Sequence, residues 1–297
     1  MSQPLNASPV WAWSREALAL PDFVHAVRAL VRLTQGLPLS GWETSMRLSP
    51  LGNRSDRLLV GFDTAGVAPA RLQTLVHDLS LPPELADAFA ASLHQAVQIM
   101  LAVERADHHV EWRAYQTLHP DCVLSSAGLA MRGMKWWPHD RTSQHQRITD
   151  YWRVPMSNDR LQALLDTCPG VPAVAQPAYA VLSDTLRMAL RRQLAGLNPE
   201  FLVACEQAAP RVSCCLRLYE SGLYGADLFP LLDRLLTQWG WMSEQRRSAL
   251  QVLAKRPLGW LAAGIDRHQQ AFLTVYCEAR REDASHALVN GNLHATA

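Results

Sequence analysis

Residues 101–116 read LAVERADHHVEWRAYQ, and residues 261–277 read LAAGIDRHQQAFLTVYC. Both begin with a small apolar run, pass an acidic residue and a polar stretch, and rise again to a tyrosine. A short extended run, a polar turn and a second extended run make a β-hairpin signal. Its recurrence 160 residues later makes it a repeat, and a repeat constrains architecture more than local propensity does.

Three further pairs follow the same plan. GWETSMRLS (41–49) and DRLLVGFD (56–63) flank the turn-like PLGNRS. GLAMRGMKWW (128–137) precedes QRITDYWRV (146–154), and FLVACEQ (201–207) precedes RVSCCLRLYE (211–220). With VQIMLAVE–VEWRAYQTL and LGWLAAGID–AFLTVYCEA the pairs number five. Helical spacing separates them at 15–36, 68–79, 83–95, about 158–195, 226–239 and 243–254. In the first of these helices Leu18, Phe23, Val27, Leu30 and Leu33 fall near one face. Ten antiparallel strands leave open edges unless the sheet closes on itself. The expected fold is therefore α+β: a ten-stranded antiparallel barrel of αββα units with its helices outside, wide enough inside for a ligand. One domain over 1–280 and a flexible tail over 281–297 are expected.

Strand side chains alternate between faces, and a helix-covered barrel sends its polar face into the lumen. That face carries Glu43, Ser45 and Arg47; Glu111, Arg113 and Tyr115; Arg147, Thr149, Tyr151 and Arg153; Ser213, Cys215, Arg217 and Tyr219; and Phe272, Thr274 and Tyr276. Guanidinium groups suit an anion, above all a phosphate. Tyrosine rings offer a negative face to a cation. An anion holder beside an aromatic cage suits an allylic diphosphate that ionises to a carbocation behind a water-excluding wall. Taken singly, each Arg-x-Tyr also fits a surface or structural role, and Glu43 also fits a strand-end ion pair with Arg47.

The bulk numbers fit this class. The chain has 297 residues, is 48% hydrophobic and 19% charged, and carries a net charge of +1, which gives no ground for nucleic acid or an anionic membrane. No run reaches eighteen apolar residues, and the N-terminus lacks a signal-peptide pattern. Cys122, Cys168, Cys205, Cys214, Cys215 and Cys277 show no CxxC spacing and read as reduced, mostly buried thiols of a cytoplasmic, monomeric protein. The histidines of 107–109 and 136–145 have no metal spacing and read as polar turns. KWWP (135–138) reads as a strand end under helices, and Gly133 and Gly264 as tight barrel packing.

The stretches WETSMRLSPLGNRSDRLLVGFD, LAVE…VEWRAYQ and SALQVLAKRPLGWLAAGIDRHQQAFLTVY carry a resemblance. Over about 15–280 the chain resembles the ABBA prenyltransferases, and among them the cyanobactin peptide prenyltransferases. The resemblance implies a prenyltransferase acting on a dimethylallyl or geranyl diphosphate, usually with Mg2+. The implied acceptor is a side chain of a modified, ribosomally made peptide; an aromatic phenol or indole is the alternative acceptor, and a non-catalytic barrel that binds a hydrophobic ligand is the third reading. It implies that Glu43 is the general base and that Arg57, at the head of its strand, binds the diphosphate. Arg113 stands where the family has a lysine. Arg217, Tyr115, Tyr151, Tyr219 and Tyr276 complete the implied diphosphate site, and Arg47, Thr274 and Trp260 the substrate contacts. The family's GIDLR reads AVERA here.

Overall fold

A computed structural model describes residues 21–54, 57–106, 109–121, 128–138, 146–155, 157–167, 170–192, 200–206, 209–266 and 268–279. Leu18, Cys122, Cys168, residues 139–145 and the tail 281–297 lie outside them. In chain order the elements are α1 (Pro21–Leu33), β1 (Leu39–Ser49), β2 (Gly52–Arg54), β3 (Arg57–Asp63), α2 (Pro69–Asp78), α3 (Pro83–Leu93), β4 (Ala96–Ala106) and β5 (His109–Leu118). Then come β6 (Leu129–Trp136), β7 (Arg147–Arg153), α4 (Asn158–Thr167), α5 (Gln176–Arg192), β8 (Phe201–Glu206) and β9 (Ala209–Arg217). The last are α6 (Phe229–Gln238), α7 (Ser243–Leu253), β10 (Leu258–Ile265) and β11 (Ala271–Ala279).

The sheet runs β1-β3-β4-β5-β6-β7-β8-β9-β10-β11, and β11 returns to β1 with Ser45 opposite Tyr276. Neighbours are antiparallel throughout, so the ten strands form a closed barrel with no free edge. β2 is a short addition on the far end of β1, with Gly52 opposite Ser49. It occupies the stretch that reads as a plain turn.

Outward residues join two separate cores. Phe23, Val27 and Leu30 of α1 pack with Val60 and Phe62 of β3 and Leu101 and Val103 of β4. On the other side Leu182 and Leu186 of α5 pack with Leu216, Leu261, Leu273 and Val275. A fully buried Leu contributes about 1.5–3 kcal/mol, so these layers hold the helices to the wall. A third cluster lies inside the barrel: Leu59, Ala102, Tyr115, Ala130, Tyr151, Leu202 and Ala204.

The expected helix over about 158–195 is two helices, α4 and α5. Between them Gly170 has φ +74° and Pro172 has no N–H with which to extend a helix. The expected strand 211–220 stops at Arg217. The chain then makes a 3-10 turn, Tyr219–Ser221, which Gly222 ends in the left-handed region at φ +63°. Trp136 of KWWP is fully buried in the outer core, and Trp137 stacks on His109 at 4.5 Å. Of the described cysteines, Cys214 and Cys277 are buried, but Cys205 is exposed, against the expectation of mostly buried thiols. No helix among the described residues is long and apolar enough to cross a membrane.

Candidate active site

The alternation of side chains along closed strands leaves a cavity of about 560 Å³ in one end of the lumen. Leu59, Met100, Ala130, Met131 and Leu202 give it apolar walls, and Tyr115, Tyr151, Tyr276 and Trp260 give it ring faces. Gly133 makes room for two of those rings: a Cβ there would stand 2.9 Å from Tyr115 and 3.2 Å from Tyr151.

Arg57 opens β3 and points inward, where it is 4% exposed. Its Nη2 donates to Tyr115 Oη at 3.2 Å, and its Cζ lies 5.0 Å from the Tyr276 ring centroid and 5.7 Å from that of Tyr115. Its Nε has no hydrogen-bond partner among the described residues and stands 4.0 Å from Glu104 Oε2. Burial disfavours the charge, but the phenols of Tyr115 and Tyr276, together with Glu104, outweigh burial and hold the guanidinium pKa above its ordinary value.

Arg113, two residues before Tyr115 on β5, reaches the same phenol from below, with Nη1 donating to Tyr115 Oη at 3.4 Å. Its Nη2 is 2.7 Å from Glu104 Oε2 and 2.6 Å from Glu111 Oε1. Lys135 Nζ lies 3.1 Å from Glu206 Oε1. Tyr115 thus stands over two guanidinium groups and near an ammonium. Burial would raise its pKa, but Arg57, Arg113 and Lys135 outweigh burial and lower it.

Nearer the open end, Glu43 is 7% exposed and its Oε1 accepts a short hydrogen bond from Tyr219 Oη. Gly259 permits the contact: a Cβ there would fall 2.7 Å from Glu43 Oε1 and 2.8 Å from Tyr219 Cε1. Trp260 meets the Tyr219 ring edge-on at 6.4 Å. Arg217 lies over that ring at 5.2 Å and donates to Glu220 at 2.7 Å.

The expected site residues therefore divide by depth. Arg57, Arg113, Tyr115 and Tyr276 converge at mid-lumen, with Tyr151 facing Tyr115 at 6.2 Å. Glu43, Tyr219, Trp260 and Arg217 group near the mouth, so Arg217 does not join the other two arginines. Arg47 bonds Asp266 at 2.8 Å and covers Phe272, and neither it, Thr274 nor Arg113 lines the cavity; Arg113 reaches it only through the Tyr115 phenol. Arg47 pairs with Asp266, their charged atoms 2.8 Å apart.

Sequence reading passed over Glu104, Gly259, Glu200 and Glu220. The signal for Glu104 was available, since it shares the inward parity of β4 with Ala102 and pairs across the hairpin with Glu111. A site for Mg2+ held by protein is not supported by this donor set. Among the described residues no three His, Cys, Asp or Glu side chains are placed to hold one metal ion, and Glu104 and Glu111 are both engaged by Arg113.

No family model and no curated protein matches the chain. Solved structures do. The 5-dimethylallyltryptophan synthase of Streptomyces coelicolor is 14% identical and superposes with a TM-score of 0.57 over 90% of this chain and 92% of its own. Its complex with DMASPP and Trp is 13% identical, with a TM-score of 0.57 over 97% and 93%. NotF in complex with brevianamide F and DMSPP is 12% identical, with a TM-score of 0.55 over 89% of both chains. Identity this low speaks for architecture and not for activity. In architecture this chain is a barrel of ten antiparallel strands closed on themselves and ringed by helices, the fold it shares with these solved structures.

Proposed function

We propose that the chain is a prenyltransferase that moves a dimethylallyl group from its diphosphate to a small aromatic acceptor, an indole or a phenol. The observation that carries this is the company kept in one cavity: a buried guanidinium, Arg57, 5.7 Å from the Tyr115 ring and 5.0 Å from the Tyr276 ring, with the Glu43 carboxylate in the same lining. Arg57 and the Tyr115 and Tyr276 phenols hold the diphosphate as the C–O bond breaks. The ring faces stabilise the allyl cation, and the apolar walls keep water from it. The acceptor ring attacks from the mouth side, and Glu43 takes its proton.

A ring-sized acceptor is favoured over a peptide on two grounds. The cavity of about 560 Å³ is within the usual range for small-molecule sites. The solved structures with this fold carry DMASPP with Trp and DMSPP with brevianamide F. A non-catalytic barrel that binds a hydrophobic ligand would have an apolar lumen, whereas two guanidinium groups meet at Tyr115 here.

Incubation with dimethylallyl diphosphate and a panel of tryptophan, tyrosine, indole, small phenols and tryptophan-containing peptides, followed by mass spectrometry, tests the reading. Gain of one dimethylallyl unit by a free aromatic is the expected result. Prenylation confined to peptides would restore the peptide acceptor, and no transfer to any acceptor would remove the function.

A further inference from the structure

Beyond Arg57 and Tyr115, which line the cavity, the lumen that would receive a diphosphate already holds anions. Arg113 is bound on two sides, 2.7 Å from Glu104 and 2.6 Å from Glu111. Lys135 is bound to Glu206 at 3.1 Å, and Arg57 stands 4.0 Å from Glu104. Within this cluster three cations, Arg57, Arg113 and Lys135, face three carboxylates, Glu104, Glu111 and Glu206. The registry explains why they meet: Glu104 lies opposite Arg57 on one side and opposite Glu111 on the other, and all point inward. Arg57 and Lys135 are buried and Arg113 is partly buried; three unpaired cations so placed would repel one another and bear a cost of desolvation, so the carboxylates stabilise the barrel.

Resting on the diphosphate reading above, we infer that Glu104 and Glu111 are resident counter-anions which the donor must displace from Arg113, and that they set the lumen's selectivity for a multiply charged phosphate group. A guanidinium offers five donors in a fixed fork. Arg113 spends Nε and Nη2 on carboxylates and Nη1 on Tyr115. A phosphate oxygen can gain full use of that fork only as Glu104 or Glu111 lets go. Arg57 differs, because its Nε is not hydrogen-bonded to any described residue and is free to receive an oxygen first. A monoanion gains too little to break the Arg113 pairs, whereas a diphosphate spans both guanidinium groups. The carboxylates thus act as a repulsive element against weaker anions.

Calorimetric titration of inorganic pyrophosphate, inorganic phosphate and dimethylallyl S-thiolodiphosphate into wild type, Glu104→Gln and Glu111→Gln tests this, with thermal melts reporting folding. Each Gln substitution keeps the side-chain shape and removes one competing charge. Glu104→Gln is expected to bind pyrophosphate and the thiolodiphosphate about tenfold more tightly, a change of about 1.4 kcal/mol. The preference for pyrophosphate over phosphate is expected to narrow. If Glu104→Gln does not fold, Glu111→Gln is expected to shift affinity in the same direction. Wild type that binds these ligands, with folded Gln variants that bind them equally or more weakly, would overturn the counter-anion role and leave the proposed function standing. Wild type that binds neither diphosphate would overturn both.

Discussion

Glu43 meets Tyr219 because residue 259 has no side chain. The carboxylate belongs to β1, the phenol to a turn after β9, and Gly259 of β10 leaves the gap between them open. If Glu43 accepts the acceptor's proton, Glu43→Gln keeps shape and fold and lowers turnover by about 10²–10⁴-fold, measured under single-turnover conditions. Near wild-type turnover in folded Glu43→Gln would take this residue out of the chemistry. Gly259→Ala puts a carbon 2.7 Å from Oε1 and 2.8 Å from the Tyr219 ring, too close for either to stay, so turnover is expected to fall without loss of any functional group. A second residue gives a pH prediction. Burial pushes the Cys277 thiol from an ordinary 9.0 up to about 12; Arg256 opposes the shift, and Glu43 adds to it. The folded state keeps its proton where the unfolded chain loses it. This contribution is therefore complete below pH 9 and is lost as the pH rises toward 12, by up to about 1.4 kcal/mol per unit. Urea titrations across that range are expected to show the decline, and Cys277→Ala to flatten it. Glu43, Tyr115, Tyr151 and Tyr276 were legible as residues because strand parity puts them inside; Arg57 was singled out by the family resemblance, and Tyr219 sits in a turn that parity does not describe. Gly259 was not legible, since its role depends on a contact between two distant elements.

At the scale of elements, the repeated polar-x-Tyr strand has a common consequence. β5, β7 and β11 each deliver a tyrosine to the cavity wall, and β6 accommodates two of them by keeping Gly133. Gly133→Ala forces the Tyr115 ring to move, and Tyr115 is the phenol on which both mid-lumen arginines converge. A loss of about 1–3 kcal/mol in stability is expected, the usual scale of overpacking, with weaker donor binding in titration. Leu186→Ala on α5 is the contrasting change. It empties part of the outer core, where Leu186 is fully buried, and is expected to cost about 2–5 kcal/mol with donor affinity unchanged. The five hairpins were readable because apolar alternation and polar turns bracket each strand. The limits of β9 and of the helix over 158–195 were not, because the apolar periodicity runs on through residues that turn. Leu218 and Tyr219 continue the strand pattern, and only Gly222 marks the bend.

For the whole molecule, closure is what gives the lumen two chemistries. Pairing β11 with β1 brings Tyr276 opposite Ser45, and so places a ring from the C-terminal hairpin beside the arginine at the start of β3. The outer cores occupy the apolar faces, and the polar faces are left to each other and to a ligand. This division was legible from patterning once closure was assumed. The pairing of Arg113 with two carboxylates was not, because registry between neighbouring strands decides it. The central claim is that Arg57 holds the diphosphate of a prenyl donor inside the barrel. Titration of dimethylallyl S-thiolodiphosphate into wild type and Arg57→Ala tests it most directly. Saturable one-to-one binding by wild type is expected, weakened in the folded variant by about 1.5–3 kcal/mol, the scale of a hydrogen bond to a charged group. Equal affinity in the two proteins, or no saturable binding by wild type, would contradict it.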